Sequence, residues 1–199
     1  MDCSPLTIAS ASRLFPGETV NGDAWVIHRY GRVFRLTVID GLGHGPDAAA
    51  ATQAALSCLG GIADTEPAVA IQACHEALLA TRGAVMSVAR IDIAAQRLQY
   101  AGVGNVEARL QLDDGEHRLI SYRGVVGVVL PTIRTFEHAL SSRWRLLAHT
   151  DGVRSRFDLS AELDGETIGP EWAQRFLQRW ARPTDDATVV VVSTRDKQG

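Results

Sequence analysis

The sequence has little cysteine, no long apolar run and no excess of positive charge, and each shortage argues against a class of protein. The 199 residues include three cysteines, Cys3, Cys58 and Cys74, an odd number at spacings that fit no zinc motif. No apolar stretch reaches the length of a membrane span, and the N-terminus has neither the basic start nor the apolar core of a signal peptide. The net charge of -3 disfavours a nucleic-acid binder, which is usually basic. We therefore expect a cytoplasmic protein with no membrane or nucleic-acid partner, in which Cys58 and Cys74 are small buried apolar residues.

The length and the absence of repeats or low-complexity linkers favour one domain over residues 1–199. Alternating or branched apolar residues predict strands at 24–30, 33–39, 84–93, 97–104, 106–112, 117–122, 132–140, 144–150 and 187–194. Helical patterns cover 46–59, 66–81 and 169–181. In the last helix, Trp172, Phe176 and Trp180 share one face and are expected in the core. Strands, two helices, many strands, a helix and a strand predict an α+β fold with mostly antiparallel pairing.

Gly31-Arg32 fits a two-residue type II′ hairpin loop between the first two predicted strands. In that hairpin, residues whose numbers sum to 63 face each other, so Asp23 lies opposite Asp40. Two like charges at cross-strand distance are destabilising. The pairing therefore indicates that water separates the carboxylates or that a cation binds between them.

Further aspartates occupy equivalent places at the ends of other strands. VFRLTVIDGL and WRLLAHTDGV are both apolar strands that end in Asp-Gly, which gives Asp40 and Asp151. Asp185 or Asp186 precedes the last strand as Asp23 precedes its own. Because antiparallel neighbours start and end at the same edge, these aspartates are predicted to share one sheet edge. Clustered carboxylates suit Mg²⁺ or Mn²⁺, whereas zinc would favour His or Cys.

The helix after GLGHG adds a positive dipole end with free N–H groups, which can bind an anion. Divalent cations and a helix start at one edge would form a phosphate-sized site. Two metals that share carboxylates lower the pKa of a bridging water and bind the phosphoryl oxygens. The predicted reaction is hydrolysis of a phosphate monoester by direct attack of metal-bound hydroxide.

Four motifs in order, NGDAW, VIDGLGHG, HTDGV and TDDATVVVV, span residues 21–192. Together they resemble the metal-dependent 2C-type (PPM) Ser/Thr protein phosphatases, and most closely their SpoIIE-like bacterial branch, which controls sigma factors. RGAVMSVARID and AGVGNVEARL are similar to internal strands of that branch. The resemblance implies a four-layer αββα sandwich, in which two mainly antiparallel sheets are flanked by helices.

The resemblance also implies a site that holds two Mn²⁺ or Mg²⁺ ions. Asp40 would bridge both ions, and the Gly41 carbonyl would bind one of them. Asp23, Asp151 and Asp185 would complete the ligand shell, partly through water. Asp185 is preferred to its neighbour because the family's aspartate is followed by one polar residue and then the strand.

A bare catalytic domain of this length resembles the members of the branch that act on the stressosome. They remove phosphate from phosphoserine and phosphothreonine of scaffold and STAS-domain proteins and so reset a stress signal. Such phosphoproteins are the implied partners. Recognition of the partner is expected from surfaces around the site, such as residues 122–135 and 153–169.

The chain departs from the family pattern at two places that concern phosphate and a third metal. Larger members have an arginine for the substrate phosphate where Glu18 stands here. Arg13, Arg82 or the helix start could take its role. Many members have Gly-Asp for a third metal after the central strand, but this chain has Gly104-Asn105, which argues against a third ion.

A third departure concerns proton transfer. Some members have His directly after Asp-Gly as a proposed general acid, but Leu42 fills that place here. His44, two residues further on, is therefore the candidate catalytic histidine. His149 is close to Asp151 in sequence, but strand alternation favours packing, or a supporting contact behind the metal ligands, over metal ligation by its ring.

Two other classes of function compete with the phosphatase. DGLGHG superficially resembles the glycine box of GHKL-type serine kinases and ATPases, but that fold needs a metal-binding helix upstream, and two strands precede Asp40 instead. The chain could also be a metal-free phosphatase-like binding module, although all four aspartates of the predicted metal site are present.

Overall fold

The computed structural model describes residues 5–194, so Cys3 lies outside the described part of the chain. The strands are β1 (Leu6–Arg13), β2 (Asp23–Tyr30), β3 (Val33–Gly41), β4 (Ala84–Asp92), β5 (Arg97–Val103), β6 (Glu107–Leu112), β7 (Gly115–Arg118), β8 (Ser121–Tyr122), β9 (Phe136–Ala139), β10 (Arg145–His149) and β11 (Ala187–Thr194). The helices are α1 (Pro46–Gly61), α2 (Pro67–Leu78), α3 (Leu159–Leu163) and α4 (Pro170–Trp180).

The strands form two sheets. One sheet has the order β1-β11-β10-β6-β7, and the other has the order β2-β3-β4-β5-β8, with β9 also paired to β5. Every strand pair is antiparallel except β5 with β8. The predicted mainly antiparallel pairing is therefore confirmed.

Three apolar clusters separate four layers. The central cluster joins the two sheets, for example through Leu36 and Leu146. A second cluster packs α1 and α2 on the six-stranded sheet around Ile71. A third packs α3 and α4 on the five-stranded sheet around Phe176. This is the predicted αββα sandwich, and Trp172 and Phe176 are buried in it as expected, with Trp180 half-buried at its margin.

Glycine at both Asp-Gly motifs is required by close approach of backbone. A side chain at Gly41 would overlap the carbonyl oxygen of Ala48 in α1, which packs on β3 through small alanines. A side chain at Gly152 would overlap the backbone carbonyl of Asp186. The two glycines thus allow Asp40 and Asp151 to stand at strand ends that other backbone segments closely cover.

Several elements differ from the prediction. β1 was not predicted, because LTIASASR alternates with small polar residues and is stabilised as an edge strand along the full length of β11. The predicted strand 117–122 is divided between the two sheets, as β7 and β8. The strand predicted over 132–140 shortens to β9, and the short helix α3 lies where none was predicted.

Two arginines are fully buried in the sandwich. Arg35 donates hydrogen bonds to the carbonyl oxygens of Leu59 at 2.8 Å and Ala63 at 3.0 Å, at and just beyond the C-terminal end of α1. Arg109 donates to the Phe157 carbonyl at 3.0 Å and lies 3.9 Å from the centre of that ring. Each cation thus joins a sheet to the segment that covers it, because buried charges need such partners.

Within residues 5–194, every helix is too short or too polar to traverse a lipid bilayer. Cys74 is fully buried and Cys58 is half-buried, which agrees with the apolar role expected of them.

Candidate active site

The β2–β3 hairpin has the predicted register. Gly31 has a φ of 64°, the positive value that the first position of a type II′ turn requires. The cross-strand partners then run from Tyr30 with Val33 to Asp23 with Asp40. The two carboxylates therefore stand on paired residues at the open end of the hairpin.

An open cavity of about 760 Å³ lies at this edge. Three of the predicted aspartates line it, Asp40, Asp151 and Asp185, together with His44. The rest of the wall consists of Phe15, Leu42, Gly43, Val85, Gly104, Asn105, Arg123, Gly124, Val125 and Thr184. The structure thus brings together the end of β3, the start of β4 and six connecting segments, among them the ones that follow β10 and precede β11 of the other sheet.

Asp23 does not line the cavity but lies buried behind it. Its carboxylate accepts a hydrogen bond from the Thr150 hydroxyl at 2.7 Å, and that hydroxyl accepts one from the Thr188 N–H at 3.0 Å. Burial raises the pKa of Asp23, although the threonines act in the opposite direction. The pair of threonines connects the hairpin to β11 and to the end of β10.

Burial and neighbouring carboxylates raise the pKa of Asp40 and of Asp185 at the cavity wall, where the aspartates have no paired cation among residues 5–194. Burial raises the pKa of Asp40, and the neighbouring carboxylates, first Asp23 and then Asp151, raise it further. Burial followed by Asp151 also raises the pKa of Asp185. Within residues 5–194, no basic side chain forms an ion pair with any of these four aspartates. Buried and half-buried carboxylate oxygens without a paired basic side chain fit a hard divalent cation.

The aspartates do not form a tight ready-made cage. In the described part of the chain, no three Asp, Glu, His or Cys side chains converge closely enough to count as a metal-binding group. A cation at this wall would therefore need water among its ligands, as Mg²⁺ commonly has. Gly41, whose carbonyl was expected to bind one ion, lies buried against α1 and is not part of the cavity wall.

The two consecutive aspartates before β11 have different surroundings. The Asp186 carboxylate accepts hydrogen bonds from the Phe15 N–H at 2.7 Å and the Gly22 N–H at 3.1 Å. Asp186 therefore ties the β1–β2 connection to the start of β11. Asp185 lies at the cavity wall instead, which is the placement that a ligand requires.

Asn105 stands where the family resemblance would place an aspartate for a third metal ion. Its amide donates a hydrogen bond to the Asp151 carboxylate at 2.7 Å. The side chain thus orients Asp151 without adding a negative charge to the wall.

His44 is fixed by two neighbours. Its Nδ1 lies 2.6 Å from Glu18 Oε1, and its ring stacks on Phe15 with centroids 4.1 Å apart and planes 9° apart. Sequence reasoning noted Glu18 only as a missing arginine. Glu18 reaches His44 because the β1–β2 connection folds over the glycine-rich loop. No local sequence pattern predicts that contact between two loops.

The cations expected from sequence to bind phosphate are engaged elsewhere. Arg13 donates to the backbone carbonyls of Arg182 and Asp185, and Arg82 pairs with Asp47 in the first turn of α1. Arg123 lines the cavity and has no ion pair or hydrogen bond within residues 5–194. It was missed because it lies in a loop segment without regular periodicity.

The upstream helix of the GHKL alternative is not there, because residues 5–40 form only strands and turns. His149 is fully buried with its Nδ1 2.9 Å from the Thr150 carbonyl, so its predicted packing role is confirmed.

Known structures share this architecture. A chain from a solved structure described as "The bacterial stressosome: a modular system that has been adapted to control secondary messenger signaling" has a TM-score of 0.89 and 28% identity, covering 95% of this chain and 100% of that chain. A solved RsbX in complex with magnesium has a TM-score of 0.85 and 21% identity, covering 96% of each chain. At 21% identity, the match to the RsbX structure shows a similar fold and no more.

A curated relative, the phosphoserine phosphatase RsbX of Bacillus subtilis (strain 168), is 25% identical over 138 residues, which is 69% of each chain. The sandwich and these matches define a phosphatase of the 2C type. The model of the family described as Stage II sporulation protein E (SpoIIE) matches residues 31–195. The chain belongs to the SpoIIE family.

Proposed function

We propose that this chain is a cytoplasmic Mn²⁺- or Mg²⁺-dependent phosphatase that hydrolyses phosphoserine or phosphothreonine on regulatory proteins. The observation that carries the proposal is the cavity wall on which Asp40, Asp151 and Asp185 meet without a basic partner. The activity of RsbX and the stressosome origin of a similar chain support substrates of stressosome scaffold or STAS-domain type. Removing phosphate from them would reset a stress signal that controls a sigma factor.

The residues that would hold two ions are those of the acidic wall. Asp40 would lie between the ions, with Asp151 and Asp185 as further ligands. Asp23 and the Gly41 carbonyl would act from behind the wall, Asp23 through water. When bound, the ions activate water and neutralise phosphoryl oxygens.

Two further side chains of the cavity wall, Arg123 and His44, would act on the substrate itself. The Arg123 guanidinium would bind two phosphoryl oxygens, because its planar fork matches phosphate geometry. His44 would donate the proton that the departing seryl oxygen requires. Asn105 would keep the Asp151 carboxylate in a fixed orientation.

Hydrolysis of para-nitrophenyl phosphate tests the proposal directly. Wild type and Asp40→Asn would be assayed with Mn²⁺, with Mg²⁺ and with chelator. We expect turnover that needs both the metal and Asp40. Turnover that persists in chelator, or at the wild-type rate in Asp40→Asn, would exclude the proposed chemistry. A folded protein inactive in every metal would favour the metal-free binding module.

A further inference from the structure

A tight turn without a single polar side chain borders the cavity. Residues 124–130, GVVGVVL, form what we call the valine turn. The Val125 N–H donates to the Val129 carbonyl, and the Val129 N–H donates to the Val125 carbonyl, both at 2.9 Å. This composition is unusual, because turns normally use Gly, Pro, Asn, Asp and Ser.

The valine turn is anchored to the body of the domain on two sides. Val126 is buried and exchanges backbone hydrogen bonds of 2.8 and 3.0 Å with Ala84. The Gly127 N–H donates to Nδ1 of His75 at 2.9 Å, and a side chain at Gly127 would overlap Leu78. The tip is therefore held in one position against β4 and α2.

That rigid support holds two valines out into solvent. Val128 is 56% exposed and Val129 is 66% exposed. Leu79, which follows Leu78 at the end of α2, is 64% exposed. One exposed apolar residue is ordinary, but a fixed apolar group at the margin of a catalytic cavity is typical of a binding surface.

The valine turn is continuous with the cavity wall. Arg123, Gly124 and Val125 belong to that wall, and the tip of the turn lies two residues beyond Val125. Two residues of extended chain correspond to about 7 Å. A substrate whose phosphoserine enters the cavity would thus bring its neighbouring side chains, within about three positions, over the turn.

The two arginines that flank the turn along the chain suit such a substrate. Arg123 and Arg134 are both exposed and have no ion pair within residues 5–194. These cations would attract the phosphorylated segment, whereas the valines offer it only apolar contact. The surface is therefore complementary to a phosphorylated segment that also carries an apolar residue.

From this geometry we infer that the valine turn docks an apolar side chain next to the phosphoserine and so selects the substrate. The inference rests on the proposed function and names the substrate class more narrowly. Preferred substrates have Leu, Ile, Val, Met or Phe within about three positions of the phosphorylated residue.

Two matched phosphoserine peptides test the inference, one with leucine and one with serine at the positions that flank the phosphoserine. The enzymes are wild type, the double variant Val128→Ser/Val129→Ser, and Val69→Ser. Val69 is a matched control because it is a valine of similar exposure, 53%, in the first turn of α2, at the other end of that helix. Para-nitrophenyl phosphate, which has no flanking residues, serves as the internal standard for folding and chemistry.

We expect wild type and Val69→Ser to prefer the leucine peptide by about tenfold in kcat/KM, as burial of one apolar side chain allows. The double variant should lose that preference while it hydrolyses para-nitrophenyl phosphate at the wild-type rate. With that rate intact, equal use of both peptides by wild type, or a preference that survives in the double variant, overturns the docking role alone. Absence of metal-dependent turnover of para-nitrophenyl phosphate in wild type overturns the proposed function and the docking inference together.

Discussion

The carboxylate of Glu18 lies 2.6 Å from Nδ1 of His44. Because the Glu18 carboxylate accepts a hydrogen bond from the Nδ1–H of His44, it orients the ring and leaves Nε2 as the nitrogen that can act on a substrate. Phe15 restricts the ring from one face. Glu18, which stands where the family resemblance predicts an arginine, thus positions a histidine at the cavity wall.

This relationship predicts an effect that depends on the leaving group. His44→Ala should slow hydrolysis of a phosphoserine peptide by about 100-fold, because the seryl oxygen is a poor leaving group without a proton donor. Hydrolysis of para-nitrophenyl phosphate should change little, since nitrophenolate leaves unprotonated. Steady-state kcat for both substrates is the measurement.

Glu18→Gln provides the matched variant, because it preserves size and removes the charge. It should lower phosphoserine hydrolysis in the same direction as His44→Ala and leave hydrolysis of para-nitrophenyl phosphate nearly unchanged. Equal losses on both substrates in either variant would contradict proton donation and indicate a role in loop shape.

The carboxylates around Asp40 predict that the metal-free protein becomes less stable as the pH rises. The pKa of this carboxyl is raised by burial first and by Asp23 next, so the folded chain holds the proton more tightly than the unfolded chain. That contribution is fully present below about pH 4, the ordinary Asp range. It is lost as the pH rises through neutrality toward the raised folded value.

Asp40→Asn should remove the loss of folding stability that Asp40 causes at high pH. We expect its metal-free melting temperature at pH 8 to exceed that of wild type by about 3 °C or more, since each pKa unit corresponds to about 1.4 kcal/mol. The difference should shrink at pH 5. Calorimetry at both pH values, in chelator, measures it. A melting temperature of Asp40→Asn that falls with pH as steeply as that of wild type would argue against repulsion at this wall.

Arg123 is predicted to contribute to phosphate binding in particular. Arg123→Ala should reduce kcat/KM for phosphoserine peptide and para-nitrophenyl phosphate alike by about 100-fold, because both present the same phosphoryl group. Arg123→Lys should recover part of the loss, since lysine keeps the charge but not the planar fork. Inorganic phosphate should also inhibit Arg123→Ala more weakly than wild type.

Arg134→Ala is the control for general positive charge, because Arg134 is an exposed arginine that does not line the cavity. It should leave turnover of para-nitrophenyl phosphate close to the wild-type rate. Similar losses in Arg123→Ala and Arg134→Ala would mean that long-range attraction, rather than a contact with phosphate, is responsible.

The parts of the site that local rules determine could be predicted from the sequence. A two-residue loop at Gly31-Arg32 fixes the register of the hairpin, so the pairing of Asp23 with Asp40 follows by arithmetic. The end of an apolar strand also locates Asp151. The predicted bounds of the first two helices were close to the observed ones, because Pro46 and Pro67 begin helices whose apolar residues recur regularly.

The remaining features depend on contacts between distant segments. The pairing of Glu18 with His44 requires a loop to fold over another loop, and the burial of Arg35 and Arg109 requires carbonyl groups from remote turns. The division of 117–122 between two sheets likewise reflects packing, since each half is a plausible strand alone. Arg123 has no local pattern that distinguishes it from other surface arginines.

The hydrogen bond from Asn105 to Asp151, 2.7 Å long, gives a last prediction about metal dependence. Asn105→Asp replaces a donor by a like charge, so the metal-free protein should melt about 2–4 °C lower than wild type, which corresponds to about 1 kcal/mol in a domain of this size. Added Mn²⁺ should stabilise Asn105→Asp more than wild type, because a further carboxylate then faces the cation. Asn105→Ala separates the two effects: it loses the hydrogen bond but adds no charge, so it should bind Mn²⁺ about tenfold more weakly than wild type. If Asn105→Asp and Asn105→Ala melt at the same temperature in chelator and respond equally to Mn²⁺, the Asn105 amide does not orient Asp151 toward a cation.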